Sequence, residues 1–375
     1  MTKFVYCLAI CALLGQISMA RAEEAIGEDL LLGASVGGVD SVPEDADEGS
    51  KDDKVASFIS MITKPLSLFF SADDEVGEDG KKETFLERSQ RLAEEGSLED
   101  QMNLAYMYLY GTNGVKENFE LAFKYYSMAA QQNDPIALNN LGSLYFSGIG
   151  THVNAKKALE LFQKASDLGN DNASVNLAFI YLTGGTKDPV RNQKAMKLFQ
   201  KAAKSGNKIG GFMLGYAYYK GFVVPQDYEQ AYKLIKSAAT GEAKLDEAQL
   251  VLAEMYTSGY GTVQNYQNAI TSVKSAVSQG NKEAFMIMAK IYTDGKISLP
   301  NLVMAHALYN IAAAQNIPGA EKKRDKVAEV LDLQMLAQAQ EIAQNFKASP
   351  SELTEYVRQT FGTGIRHYID NNMVK

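Results

Sequence analysis

The sequence predicts an all-α protein: a right-handed α/α superhelical solenoid of about six helix-turn-helix repeats, with capping helices at both ends. The main observation is a recurring phrase of Leu or Met, a small residue, any two residues, Tyr, any two residues and Gly. Its tyrosines follow one another at steps of 37, 36, 37, 38 and 36 residues, a period typical of stacked repeats. The six copies are Leu104–Gly111, Leu141–Gly148, Leu177–Gly184, Leu214–Gly221, Leu252–Gly259 and Met288–Gly295.

The phrase predicts the first helix of each repeat, because its Leu, small residue and Tyr share one face of a helix. The glycine after the tyrosine is expected to end that helix in the left-handed conformation. A polar residue should then cap the second helix by accepting a hydrogen bond from one of its exposed amides. The predicted caps are Asn118, Asn154, Asn192, Asp227, Asn265 and Asn301.

A second phrase predicts the second helix, with small and larger apolar residues at offsets of 0, 3, 4, 7 and 8. In the first copy these are Ala122, Tyr125, Tyr126, Ala129 and Ala130. The alanines let two helices approach closely, and the larger residues fill the space to the next repeat. We therefore assign residues 83–316 to the repeat solenoid.

Capping helices are predicted at both ends, since a solenoid must cover its terminal apolar faces. Residues 83–95 fit a lone second helix that ends at Gly96. Residues 317–375 leave the repeat pattern and are assigned to C-terminal capping helices, one of them over Leu333–Phe346. Ser349 to Glu352 predicts a capping box that opens another helix, with Pro350 at its first position.

The N-terminus predicts a cleaved signal peptide over residues 1–22, and so an exported protein, secreted or periplasmic. Lys3 precedes the apolar run Phe4–Leu14, and Ala20-Arg21-Ala22 fits the cleavage pattern. The alternative is a cytosolic protein with an apolar start. Cys7 and Cys11 both lie inside this segment, so the mature chain would contain neither a disulfide nor a thiolate.

Residues 23–82 are predicted to be an acidic, disordered leader. They contain sixteen Asp and Glu against five Lys, whereas the whole chain carries a formal charge of -8. This balance argues against nucleic acid as a partner. One apolar island, with Val55, Phe58, Ile59 and Ile62 at helical spacing, interrupts the leader. It would either dock on a partner or pack against the first repeat.

Together the two helical phrases and the Gly114-Val115 loop resemble the Sel-one-like repeat family, a relative of the tetratricopeptide repeat. Six copies agree in order and spacing, with Met288 in place of Leu and about three extra residues near Glu242 to Lys244. The resemblance implies a superhelix that scaffolds protein complexes, generally without catalysis. The layout is similar to exported family members from intracellular bacteria. That similarity implies host-protein partners in vesicle trafficking or phosphoinositide metabolism.

The sequence offers little catalytic chemistry, and we predict a non-enzyme with no cofactor and no metal. His152, His306 and His367 are the three histidines, and they lie far apart in the chain. The sequence contains no histidine and cysteine spacing typical of a metal site and no phosphate-binding glycine loop. The histidines are expected to be ordinary surface or packing residues.

The predicted binding surface is the concave groove lined by the first helices. There the residues two after Leu and one after Tyr are expected to face a partner, because exposed apolar and aromatic groups mark interaction sites. The alternative is that these side chains pack against the neighbouring repeat. The candidates for partner contact are Tyr106, Leu109, Phe146, Phe179, Leu182, Tyr216 and Tyr219.

The sequence favours an exported, monomeric interaction scaffold. The resemblance to exported family members implies that it acts as a virulence factor, helping a bacterium to enter host cells and to direct vacuole trafficking. The alternative is a periplasmic scaffold that organises envelope or peptidoglycan enzymes. A weaker possibility is membrane contact through the basic cluster of Lys322, Lys323, Arg324 and Lys326, which is more often a solvated helix face.

Overall fold

The computed structural model describes residues 75–76, 82–183, 189–361 and 365. The predicted signal peptide, nearly all of the leader and the helix-ending Gly184 lie outside these residues. The leader was predicted to be disordered, but its described end contains regular structure: strand β1 (Glu75–Val76) pairs antiparallel with strand β2 (Lys82–Glu83). In this pair Val76 lies opposite Lys82.

Sixteen helices make up most of the described chain. The first seven are α1 (Phe85–Glu94), α2 (Leu98–Tyr110), α3 (Phe119–Gln131), α4 (Pro135–Ser147), α5 (Ala155–Asp167), α6 (Asp171–Thr183) and α7 (Pro189–Lys204). The other nine are α8 (Lys208–Lys220), α9 (Tyr228–Ala239), α10 (Asp246–Ser258), α11 (Tyr266–Ser278), α12 (Lys282–Asp294), α13 (Leu302–Ala314), α14 (Ala320–Ala328), α15 (Leu333–Asn345) and α16 (Glu352–Phe361).

Helices α2 to α13 form six pairs, and the first helix of each pair carries the tyrosine phrase. The expected all-α helical-repeat solenoid is confirmed; the handedness of its superhelix stays a prediction. The described helices fall into two compact units. The first unit contains α1 to α7, and the second contains α8 to α15 together with α16 as far as Arg358.

The small residue of the phrase allows close packing of the two helices in a pair. In the first unit, a Cβ added to Gly142 on α4 would lie 3.0 Å from the Phe162 ring on α5. In the second unit, a Cβ on Gly215 of α8 would lie 2.9 Å from the Leu234 Cβ of α9. The stripe alanines of the second helices are buried as well, so both phrases build the core.

The helix ends follow the predicted local chemistry with one exception. The described glycines of the phrase have φ between +62° and +73° at the helix ends, and five of the six predicted caps accept a hydrogen bond from the third residue of their helix. Asn192 was wrongly predicted as a cap, because α7 begins at Pro189 and contains Asn192 in its first turn. Proline suits that first position, since its φ is already helical and the lost amide would have no partner there.

Hydrogen bonds between successive turns join neighbouring repeats within each unit. In the first unit Gln132 Nε2 donates to the Gly96 carbonyl at 3.0 Å, and Asn170 Nδ2 donates to the Pro135 carbonyl at 3.1 Å. In the second unit Asn281 Nδ2 donates to Asp246 Oδ2 at 2.8 Å. The partners of these bonds are 36, 35 and 35 residues apart, which is one repeat.

The terminal helices largely agree with prediction. Helix α1 ends just before Gly96, and α15 covers the segment predicted to start at Leu333. The capping box predicted at Ser349 was wrong. Ser351 caps α16 instead, because its hydroxyl accepts from the Thr354 amide at 3.1 Å, while the Ser349 amide donates to the Ser278 carbonyl at 2.8 Å.

Candidate partner-binding surface

The side chains predicted to line an exposed groove are mostly buried. Six of them are no more than 8% exposed: Leu109, Phe146, Phe179, Leu182, Tyr216 and Tyr219. Tyr106 is half-buried. The predicted exposure was therefore wrong for those six. Their role in binding a partner stays a prediction.

Packing within the repeats explains part of this burial. Phe179 on α6 meets Phe199 on α7 edge to face, with ring centroids 5.3 Å apart. In the fifth and sixth copies the equivalent positions hold Glu254 and Lys290, which are exposed. An aromatic residue at such a position suits a core as well as a groove, and the sequence pattern does not separate the two.

In the first unit, a pair of tyrosines on α2 remains partly accessible. The rings of Tyr106 and Tyr110 lie 4.3 Å apart between centroids, at an interplanar angle of 35°. Both side chains are half-buried, and burial raises the pKa of the Tyr106 hydroxyl above its ordinary value. Among the predicted groove residues of the first unit, Tyr106 is therefore the one that can offer ring surface to a partner, and Tyr110, which was not predicted, lies beside it.

The second unit contains a larger group, the tyrosine cluster, formed by Tyr216, Tyr219, Tyr228 and Tyr260. The ring of Tyr219 lies 6.1 Å from that of Tyr216, 5.8 Å from Tyr228 and 6.3 Å from Tyr260. Tyr228 and Tyr260 stack face to face at 4.4 Å, with planes only 5° apart. The cluster thus connects a buried face of α8 to the loop after α10.

Charged groups of both signs border the buried end of this cluster. The Lys220 ammonium lies 5.4 Å from the ring centroids of both Tyr216 and Tyr219, within range of a cation–π interaction. Burial raises the pKa of the Tyr219 hydroxyl strongly, and Glu254 raises it further, so this hydroxyl stays protonated.

The other end of the cluster reaches the surface. The Tyr260 side chain is 37% exposed, and Val263 and Tyr266 beyond it are 84% and 42% exposed. Sequence reasoning missed Tyr228 and Tyr260 because they lie outside the repeated helical positions. The available signal was a tyrosine directly after the helix-ending Gly259, where the other five copies carry Thr112, Ile149, Gly185, Phe222 and Lys296.

Gly261 fixes the loop that carries Tyr260. It has φ +67°, and a Cβ at this position would lie 1.9 Å from the Tyr228 carbonyl oxygen. The Tyr260 amide donates to the Met255 carbonyl at 3.0 Å, which closes the end of α10. The loop backbone therefore packs directly on Tyr228, the first residue of α9. This contact holds Tyr260 where its ring stacks on the Tyr228 ring.

The remaining candidate sites offer little chemistry. His152 is exposed and His306 is 5% exposed. In the part of the chain that the structure describes, no three His, Cys, Asp or Glu side chains gather as metal ligands. Over the same residues, no helix combines the length and the apolar character needed to cross a bilayer.

The basic cluster on α14 is largely solvated, as the simpler interpretation expects. Lys322, Lys323 and Lys326 are exposed, whereas Arg324 is half-buried and pairs with Asp325 at 2.8 Å. Membrane contact through this cluster stays a prediction.

Comparison with known proteins supports the repeat assignment. A family model described as Sel1 repeat matches six segments that cover more than half of the chain: residues 98–134, 135–170, 172–207, 212–241, 246–271 and 286–317. The structure of a Sel1 repeat protein from Oxalobacter formigenes is similar, with a TM-score of 0.53 and 26% identity over 61% of this chain and 99% of that one. The structure of c5321, a protective antigen of uropathogenic Escherichia coli with an SLR fold, has a TM-score of 0.47 and 24% identity, and the match covers 74% of this chain and 66% of that one.

One sequence relative is named for a pathway. The alginate biosynthesis protein AlgK of Pseudomonas syringae pathovar tomato is 27% identical over 125 residues. The match covers 33% of this chain and 26% of AlgK, so this chain matches about a quarter of that relative's length.

Proposed function

Because this chain belongs to the Sel1 repeat family, whose members are scaffolds for protein–protein interaction, we propose that it is an exported scaffold that binds a protein partner through its second unit. The observation that carries the proposal is the stacked pair Tyr228–Tyr260, whose outer ring is 37% exposed beside the exposed Val263. Tyrosines that are held rigidly and partly exposed lose little entropy on binding and are frequent interface hot spots.

We further propose a role in a bacterium that lives inside host cells, where the protein helps the bacterium to enter them and to direct vacuole trafficking. Its partners would be host proteins of vesicle trafficking or phosphoinositide metabolism. The support is the resemblance in layout to exported repeat proteins of such bacteria, together with the signal peptide predicted at residues 1–22.

The second candidate is a periplasmic scaffold for enzymes of the cell envelope. The similarity to AlgK, a protein named for the biosynthesis of a polysaccharide, favours this alternative. Cell fractionation separates the two candidates. Mature protein in the culture medium or in infected cells supports the first, and confinement to the periplasm supports the second.

Capture experiments test the binding surface. The mature protein is immobilised and offered host lysate in one arm and periplasmic extract in the other, and bound proteins are quantified by mass spectrometry. Replacing both Tyr228 and Tyr260 by alanine should lower the captured partner about tenfold or more, since a tyrosine hot spot contributes about 2 kcal/mol.

The double variant Tyr106→Ala and Tyr110→Ala is the matched control, because it also removes two packed rings, but from the first unit. It should retain capture. Loss of capture in this control but not in the cluster variant would return the binding site to the predicted groove. Circular dichroism must show unchanged helix content in both variants.

A further inference from the structure

The turn between α9 and α10 is the place where the repeat pattern is broken. The other described first helices begin after a residue whose side chain caps them: Ser97, Asp134, Asn170, Asn207 or Asn281. Helix α10 instead follows Leu245, which makes no side-chain cap bond. The extra residues Glu242 to Lys244 precede it, so the lengthened turn leaves α10 without a cap of its own.

A segment more than a hundred residues away supplies the missing cap. The Thr354 hydroxyl accepts a hydrogen bond from the Asp246 amide, the first amide of α10, at 3.1 Å. The same hydroxyl donates to the Lys244 carbonyl at 3.1 Å, and the Ser351 hydroxyl donates to that carbonyl too. Thr354 is fully buried in this position. Two hydroxyls of α16 and its cap thus bind the polar backbone that the longer turn exposes.

One ion pair completes this contact. Arg358 Nη2 lies 2.7 Å from Asp246 Oδ2, and the Asp246 side chain is only 3% exposed. Asp246 also accepts from Asn281 Nδ2 at 2.8 Å and from the Glu247 amide at 2.9 Å. A buried carboxylate is costly unless it is paired and hydrogen-bonded, so Arg358 is the group that compensates its charge.

The chain leading to α16 follows the next turn of the solenoid. Phe346 meets Phe285 edge to face at 5.3 Å, and the Ser351 amide donates to Gln279 Oε1 at 2.9 Å. Ala348 passes over Gly280, where an added Cβ would lie 2.6 Å from the Ala348 Cβ. The segment from Phe346 to Thr354 therefore contacts two turns of the solenoid, first the α11–α12 turn and then the α9–α10 turn.

We propose that the α9–α10 turn is a binding site for the first turns of a helix that carries Ser, Thr and Arg at the spacing of Ser351, Thr354 and Arg358. Residues 347–358 of this chain are its resident and exchangeable occupant. The site recognises its occupant by two hydroxyl groups on the Lys244 carbonyl and the Asp246 amide, and by a guanidinium on the Asp246 carboxylate. This proposal does not depend on the partner surface proposed above.

The test uses the full chain and a labelled peptide that spans residues 347–361. In the double variant Thr354→Val and Arg358→Gln the resident segment is weakened, and amide hydrogen exchange at Asp246 to Gln249 should speed up at least tenfold. Fluorescence anisotropy should then show the peptide binding to this variant at least tenfold more tightly than to the wild-type chain. Binding should restore slow exchange at the same amides.

Two controls define the chemistry of the site. A peptide that carries the Thr354→Val and Arg358→Gln changes should bind at least tenfold more weakly than the native peptide. Adding Asp246→Asn to the double variant should remove peptide binding. If the double variant does not fold, the single variant Arg358→Gln replaces it in both measurements.

Two outcomes would overturn the proposal. One is unchanged exchange at the start of α10 when the contacts are removed. The other is a peptide that binds the wild-type and weakened chains equally, or that binds neither.

Discussion

At the residue scale, two glycines outside the helices set how closely a loop can approach the preceding repeat. Gly150 has φ +65°, and a Cβ there would lie 2.1 Å from the Phe119 carbonyl oxygen. Gly261 makes the equivalent contact with Tyr228 in the second unit. Backbone touches backbone at both places, so relaxation cannot come from a rotating side chain. These positions are as restrictive as core positions, although they lie in loops.

The variant Gly150→Ala should therefore lower the free energy of unfolding by about 2–5 kcal/mol, the sum of left-handed strain and a steric clash. Gly169→Ala is the matched control, since Gly169 also has a positive φ, +90°, but no atom within 4 Å of an added Cβ. The control should lose only about 1–2 kcal/mol. Urea denaturation of both variants measures the difference, and equal losses would show that the loop can move away.

A buried histidine gives the second prediction at this scale. Burial lowers the pKa of His306 below its ordinary value of 6.5, and the nearby Arg324 lowers it further, while Asp325 opposes the shift. The folded protein therefore keeps His306 neutral at a pH where the unfolded chain already binds a proton. The contribution of His306 to the stability of the folded state therefore decreases as the pH falls below about 6.5.

The variant His306→Gln should reduce this part of the pH dependence. Between pH 6.5 and the lowered pKa of His306, the wild type should lose stability relative to the variant, with a slope of at most about 1.4 kcal/mol per pH unit. Above pH 7 the stability difference between the two proteins should be constant. Denaturation midpoints across pH 5 to 8 provide the measurement, and parallel curves for the two proteins would contradict the assignment.

At the element scale, five of the six second helices, all except α7, are capped by a polar residue just outside them. Asn265 accepts a hydrogen bond from the Asn268 amide at 2.9 Å, and Asn118 and Asn154 accept in the same way at the same distance. The repetition of this bond explains why Asn or Asp precedes second helices whose exposed faces differ. The caps belong to the architecture and carry no information about a partner.

Replacing Asn265 by alanine should cost about 1 kcal/mol, because the amide of Asn268 loses its acceptor. Asn268→Ala is the control on the same exposed helix end, and it should be neutral or slightly stabilising, since alanine favours a helix. Thermal denaturation of the two variants compares them directly. A larger loss in Asn268→Ala than in Asn265→Ala would exclude Asn265 as the cap.

At the scale of the whole molecule, the sequence predicts that the chain is shortened on export, when its signal peptide is cleaved. The exported protein should begin at Glu23, because cleavage after Ala22 removes the signal peptide with both cysteines. Intact-mass spectrometry of the exported protein tests this, and the same sample should not react with a thiol reagent. Replacing Ala20 and Ala22 by arginine should leave the precursor unprocessed, whereas Ala25→Arg, outside the cleavage motif, should not affect processing.

The sequence predicted the repeats well because the residues that define them meet requirements of the local backbone at the helix ends. A left-handed helix end favours Gly, and an exposed amide at a helix start favours Asn, Asp or Ser, wherever these lie in the chain. It did not predict the cap of α10, since Thr354 reaches Asp246 from more than a hundred residues away. Nor did it distinguish buried from exposed aromatic residues, because Phe179 and Tyr216 satisfy the pattern of a groove and that of a core equally.

The bonds between successive turns have a consequence for how such a chain can change over generations. Asn170 reaches back 35 residues to Pro135, and Gln132 reaches back 36 residues to Gly96. A duplication or loss of one whole period gives every such donor an equivalent acceptor, whereas a gain or loss of half a period leaves a donor facing the wrong helix. Inherited differences in the number of helices among such arrays should therefore come as whole helix pairs, whereas short insertions such as Glu242 to Lys244 lie in the turns.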